Sequence, residues 1–208
     1  RCPVLEKALG DLRLRFPLAH WIGCSTAGEI LGAMLADDSV AVVVVRFDKA
    51  RVRSLQEKIG PENGAFEAGR NIARSLAGPE LKGIFVLADG LAVNGSALAK
   101  GLAAELPAGL PVSGGLAADG DRFGQTWVIA DRAPQAEHIV AVGFYGDSVG
   151  MACNHRGGWD VFGPEREVTH ATGNVLYSLD GQPALSLYRK YLGERDRKST
   201  RLNSSHPS

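Results

Sequence analysis

The sequence predicts an α/β fold: a mixed β-sheet flanked by helices, with an antiparallel extension, followed by a truncated second domain. Three observations carry that expectation. Two continuous apolar runs, at 40–47 and 83–88, have the β-branched and aromatic composition of strands buried on both faces. Segments with helical spacing separate the strands of the first half, which permits parallel pairing. Beyond Thr126 the strands follow one another with only turns between them, the pattern of hairpins.

Taken in order, Val4, Leu5, Ala8, Leu9, Leu12 and Phe16 fall near helical spacing, so residues 3–15 predict an amphipathic helix that Pro17 ends. A strand over 19–23 leads into a turn at Cys24. Residues 29–36 suit a short helix or a strand equally. The run at 40–47 predicts a buried strand, Asp48-Lys49-Ala50 a hairpin turn, and the alternating 51–55 its partner strand with one wet face. A helix is expected from Pro61-Glu62 to Leu76, with Phe66, Gly69, Ile72, Ala73 and Leu76 on one face and Gly78-Pro79 as its stop. A buried strand over 83–89 and a helix over 95–106 follow, then a short strand over 111–115. Strands are expected at 126–130, 138–145 and 149–155, an antiparallel pair at 167–172 and 175–179, and a helix at 183–192. The first domain is expected to span 1–163 and the truncated second one 164–195.

Composition narrows the function. The 208 residues carry 23 basic and 23 acidic side chains, with no basic block in the body of the chain. Non-specific nucleic-acid binding needs clustered Lys and Arg, so neither a nucleic-acid partner nor an anionic membrane is expected. Residues 196–208 resemble a translated sequencing adapter; without them twenty basic face twenty-two acidic residues. The start at Arg1 and this tail together suggest an incomplete gene product. The longest apolar run is six residues, far below the roughly 20 that span a bilayer. Cys2, Cys24 and Cys153 form no CxxC pair, so no structural zinc is expected and reduced thiols in a cytoplasmic setting fit best. Gly makes up 26 residues, about 12% against a usual roughly 7%, which points to many tight turns and close backbone approaches.

Three Gly-rich polar turns at strand ends are the candidate site. The first is Gly23-Cys24-Ser25-Thr26-Ala27-Gly28-Glu29, which offers a thiol, two hydroxyls, backbone N–H groups and a carboxylate. Its plain alternative is a helix cap by Ser25 or Thr26. The second is Asp89-Gly90-Leu91-Ala92-Val93-Asn94-Gly95-Ser96. It lacks the Lys of a phosphate loop, so nucleotide hydrolysis is not expected. Asp89 stands at a strand end, where open α/β sheets hold ligands, while Asn94 suits a helix cap. The third is Ser113-Gly114-Gly115-Leu116-Ala117-Ala118-Asp119, a Gly pair and a carboxylate suited to a backbone anion nest or to a simple Asx turn.

Two further constellations are weaker. Cys153 and His155 sit two apart, on one side of a strand, and would meet a metal or haem iron together. Cys24 beside backbone donors suits a thiolate nucleophile, yet no His lies near it in sequence. His155 and His170 are the bases that remain. No complete catalytic set is present, and a binding module rather than an enzyme is expected.

The motifs also carry a resemblance. Gly23-Cys24-Ser25-Thr26-Ala27-Gly28-Glu29-Ile30 resembles the hallmark of the FIST domain. Ala88-Asp89-Gly90-Leu91 with Asn94 is similar to that family's Asp-Gly-Leu segment. Residues 111–119 resemble its Gly-Gly-x-Ala-x-Asp block, with Phe123 and Thr126 in register. Gly157-Gly158-Trp159, Phe162-Gly163-Pro164, Val168-Thr169, Gly173-Asn174, the 179–184 segment, Tyr188 and Tyr191-Leu192-Gly193 resemble the passage into its C-terminal half. The resemblance implies a bacterial sensory input module, cytoplasmic and working with a histidine kinase, a chemoreceptor or a cyclic-dinucleotide enzyme. The implied ligand is small, such as an amino acid or related metabolite; no cofactor is expected. A haem-based nitric oxide sensor of the same family is the alternative, and a Cys24-dependent hydrolase the other. The expected ligand-binding residues are Cys24, Ser25, Thr26, Glu29, Asp89, Asn94, Gly114, Gly115 and Asp119.

Overall fold

The computed structural model describes residues 3–60, 64–130, 133–154, 160–161, 163–173 and 175–192. The chain divides into two compact units, 1–154 and 155–208. The family passage at Gly157–Trp159, Phe162, Asn174 and Gly193, the haem candidate His155, Cys2, the helix start at 61–62 and the tail 196–208 all fall outside the described residues.

The first unit is organised on a four-stranded mixed sheet. Its strands are β4 (Arg51–Lys58), β5 (Leu81–Ala88), β6 (Val112–Leu116) and β8 (His138–Tyr145), in the order β4-β8-β5-β6. β8 is antiparallel to both its neighbours, whereas β5 and β6 are parallel. That parallel pair is closed by the crossover helix α3 (Gly95–Glu105), as parallel strands require. The period-two rule accounts for the two cores. Ile84, Val86, Ala88, Ile139 and Ala141 point into one core, with α2 (Ala65–Leu76) and α3. The alternate residues Leu87 and Val140 point into the other, with Ala117, Val128, Ala130, Ile22 and Cys24. The second face is covered by an antiparallel ladder of β1 (Ile22–Cys24) and β7 (Val128–Ala130).

α2 buries Ala65, Ala68, Gly69, Ile72, Ala73 and Leu76, the i, i+3, i+4, i+7 stripe of a core-facing helix. It packs tightly on α3 because both helices carry a glycine at the crossing. A Cβ at Gly69 would stand 2.5 Å from the Leu98 carbonyl oxygen, and one at Gly101 would meet the Phe66 carbonyl. Glu105 closes the same seam, accepting from Arg70 at 2.7 Å and Arg74 at 2.8 Å. Tyr145 donates its hydroxyl proton to the Leu76 carbonyl at 2.6 Å, satisfying one of the carbonyls that a helix end leaves open.

The helix α1 (Pro3–Arg15) forms as its spacing predicts. The ambiguous 29–36 segment is a hairpin of β2 (Glu29–Leu31) and β3 (Met34–Ala36). Two expectations are corrected. The 40–47 run is not a buried strand: it forms no ladder and lies exposed, with Val43 at 86%. The hairpin through Asp48-Lys49-Ala50 therefore does not form, and β4 takes β8 as its partner instead. Apolar composition favours a strand, but β4, at the end of the sheet, pairs with β8 alone, and the 40–47 run does not take its other edge. Residues 149–154 likewise form no strand. They follow a turn at Gly146, where the Val149 N–H donates to the Gly146 carbonyl at 3.3 Å.

The second unit holds β9 (Val168–Thr172), β10 (Val175–Leu179) and β11 (Gln182–Pro183) in an antiparallel sheet, followed by α4 (Ala184–Leu192). Arg166 fastens it, bonding Asp180 and the Tyr191 hydroxyl, each at 2.8 Å. Among the described residues no helix is long and apolar enough to cross a membrane.

Candidate functional site

The ends of β1, β5 and β6 and the entries to β7 and β8 meet at one place, and the backbone itself ties them. After β6, the Ala117 N–H donates to the Ala88 carbonyl at 2.7 Å and the Ala118 N–H to the Ser25 carbonyl at 2.9 Å. The Ser25 N–H donates to the Trp127 carbonyl at 3.0 Å, and the Trp127 N–H returns to Ser25 Oγ at 3.2 Å. The first and third polar turns, about ninety residues apart in the chain, are thus neighbours.

Asp89 lies at the centre, 3% exposed. Its Oδ1 accepts from the N–H groups of Leu91 (3.0 Å) and Ala92 (3.3 Å) and from the Thr126 hydroxyl. Its Oδ2 accepts from the Glu137 N–H at 2.7 Å. A buried carboxylate must be met by donors, since desolvation otherwise disfavours it strongly. Here all four come from the protein. Asp89 therefore fastens the β5 turn to the approaches of β7 and β8.

Asp119 is the second buried acid. Its Oδ2 accepts from Gly124 at 2.7 Å and Gln125 at 2.9 Å. Burial pushes its carboxyl up, but the Gln125 and Gly124 N–H groups and the Arg122 charge outweigh that and hold it below the ordinary value. A folded-state pKa below the unfolded one adds stability above the unfolded value, about 3.9, and loses it as the pH falls through the folded one. Asp119→Asn is accordingly expected to flatten the fall in melting temperature below about pH 4, read by thermal melts across pH. An unchanged acid limb would remove Asp119 from that role.

Thr26 Oγ1 donates to Glu29 Oε1 at 2.5 Å and Ser39 Oγ to Glu29 Oε2 at 2.9 Å, and these hydroxyls lower the Glu29 pKa. No helix follows Thr26, so it is not a helix cap; β2 begins at Glu29. Asn94 is one: its Oδ1 accepts from Ala97 at 3.0 Å. Gly114 and Gly115 lie on β6, the outer strand of the sheet, with Gly114 against the Val86 backbone and open space beside Gly115. Sequence reasoning gave no role to Thr126, 2% exposed and bonded to Asp89, nor to Ser39. Only the position of Thr126 in the family block pointed toward it.

Cys24 is half-buried against the second core, and burial pushes its thiol up. A nucleophilic cysteine needs the opposite shift. Cys24 is expected to label with a mild electrophile more slowly at neutral pH than exposed Cys153; the reverse order, measured by mass spectrometry, would restore the hydrolase reading. The His20 ring contacts Ser54, the His138 ring the Ala136 carbonyl, and His170 stacks on Tyr177. Among the described residues no group of three or more His, Cys, Asp or Glu side chains is arranged to hold a metal ion.

The family model described as the FIST N domain matches residues 3–182. The chain is also similar to the uncharacterized protein MJ1623 of Methanocaldococcus jannaschii, 27% identical over 203 residues. That alignment covers 91% of this chain and 38% of the relative, so the chain spans well under half the relative's length. No solved structure matches the chain.

Proposed function

The chain belongs to the FIST N domain family, a family of signal-transduction sensor-type domains, and we propose that its first unit is a sensory input module for a small ligand such as an amino acid. The observation that carries this reading is the meeting of the Cys24–Glu29 turn with the Ala117–Asp119 segment that leaves β6, through the Ala118–Ser25 hydrogen bond; the glycine pair expected in a turn lies on β6 itself. Such a place offers what an amino acid needs. The Ser25 hydroxyl, which accepts from the Trp127 N–H and keeps its own proton, presents a donor to the ligand carboxylate, and the open space beside Gly115 leaves room for the ligand. A carboxylate must meet the ammonium. Of the two aspartates, Asp119 is the more accessible, 8% against 3% for Asp89. Asp119 is therefore the acid assigned to the ligand, while Asp89 and Asn94 hold the frame and Cys24 and Glu29 line the turn. The output is assigned to a histidine kinase, chemoreceptor or cyclic-dinucleotide enzyme, in a cytoplasmic bacterial signalling protein.

The test is a thermal-shift screen of the purified chain against amino acids and their des-amino carboxylic acids. A ligand that binds only the folded state raises the melting temperature by mass action. One amino-acid class is expected to shift the melt and its des-amino analogue to shift it less, with Asp119→Asn narrowing the difference. A cooperative melt that no amino acid moves would overturn the assignment.

A further inference from the structure

We propose that Phe123 reads the side chain of the bound amino acid and selects aliphatic and aromatic ones; the proposal rests on the sensory reading above. Phe123 stands at φ +46°, in the left-handed region. Glycine takes that conformation freely and Asn or Asp tolerate it, but it strains a bulky side chain. Among the described residues the non-glycines found there are Asp38, Phe123, Glu137 and Asp180, and of these Phe123 alone carries a large apolar side chain. The turn itself has a cause. The Asp119 carboxylate draws in the N–H groups of Gly124 and Gln125, at 2.7 and 2.9 Å. That accounts for the backbone but not for a phenylalanine in it. Gly124, next in the chain, does not take the left-handed conformation. The ring gives the fold little in return, being 45% exposed and part of neither core. Backbone strain of this kind persists where binding uses it.

The loop keeps this residue beside the acid assigned to the ligand ammonium. The Gly124 nitrogen lies 2.7 Å from Asp119 Oδ2, and the Phe123 Cα is two bonds from that nitrogen. The far end of the loop is fixed as well, since Thr126 bonds Asp89 and the Trp127 N–H donates to Ser25 Oγ. An amino acid with its ammonium on Asp119 and its carboxylate on the Ser25 hydroxyl lies between these two anchors, and its side chain then comes within reach of the ring. An exposed ring gains by burying apolar surface against a ligand. A basic side chain is also drawn to an aromatic face, but the Arg122 charge, which acts on Asp119 from the adjoining position, opposes it. Aliphatic and aromatic side chains meet no such opposition.

Calorimetric titration of the full chain with alanine, leucine, phenylalanine and lysine tests the proposal, with thermal melts beside it. Leucine and phenylalanine are expected to bind roughly tenfold tighter than alanine or more, and lysine no tighter than alanine. Phe123→Gly removes the ring and the strain together. It is expected to melt within about 2 °C of the wild type or above it, to leave alanine affinity unchanged and to lose most of the leucine preference. Phe123→Leu retains an apolar side chain and is expected to keep most of that preference. A preference that survives Phe123→Gly overturns the proposal. So does a melt of that variant several degrees lower, or a loss of its alanine affinity, because the ring would then serve the loop alone. Binding of all four amino acids alike fails this proposal and leaves the sensory reading standing, whereas binding of none fails both.

Discussion

Asp89→Ala is expected to cost about 4 kcal/mol of folding stability, at the upper end for a single substitution. The residue contributes no apolar packing that alanine would lose. The loss comes from the donors left behind. The N–H groups of Leu91, Ala92 and Glu137 and the Thr126 hydroxyl all point at its two oxygens, and both Asp89 and Thr126 are buried. Each buried donor without an acceptor costs roughly 1–3 kcal/mol. The Leu91 N–H keeps the Thr126 hydroxyl oxygen as an acceptor at 3.2 Å, whereas the Ala92 and Glu137 N–H groups lose theirs. Asp89→Asn sharpens the test. Its amide oxygen replaces Oδ1 for three donors, but its NH2 group then faces the Glu137 N–H, donor against donor. A loss of about 2 kcal/mol is expected, between wild type and alanine. Urea unfolding reads both variants. If Asp89 were a ligand contact instead, Asp89→Asn would keep the wild-type urea midpoint and lose only affinity.

That result bears on how far a sequence reveals a site. Strands β5 and β8 were legible as apolar runs, which a strand buried between two cores requires, and helix α2 by its apolar stripe. Asn94 as a cap was legible because capping is local, reaching only to Ala97. The hydrogen bonds that define the candidate site are not local. Asp89 reaches Thr126 and Glu137, and Ser25 reaches Ala118 and Trp127, across dozens of residues. No spacing rule connects such positions, so the sequence showed three polar turns but not that the first and third touch, nor that Asp89 is fully engaged. The 40–47 run failed for a related reason. Its composition states a preference for strand, whereas a strand exists only once an edge accepts it.

The second large effect is expected at Gly114, and its neighbour separates packing from binding. Gly114 has φ +151°, where side chains are strained, and a Cβ there would run into the Val86 carbonyl of the adjacent strand. Neither can give way without breaking the β5–β6 ladder, in which Val86 is paired with Gly114. Gly114→Ala is expected to cost roughly 3 kcal/mol, joining backbone strain to overpacking. At Gly115 a Cβ meets nothing within 4 Å. Gly115→Ala is therefore expected to leave the urea midpoint within about 0.5 kcal/mol of wild type. The methyl group would occupy the open side that the proposed ligand approaches, so affinity for the amino acid found in the screen is expected to fall while stability holds. Unchanged affinity in Gly115→Ala would move the ligand away from the glycine pair. A loss of stability equal to that of Gly114→Ala would show that both glycines serve the β6 backbone alone.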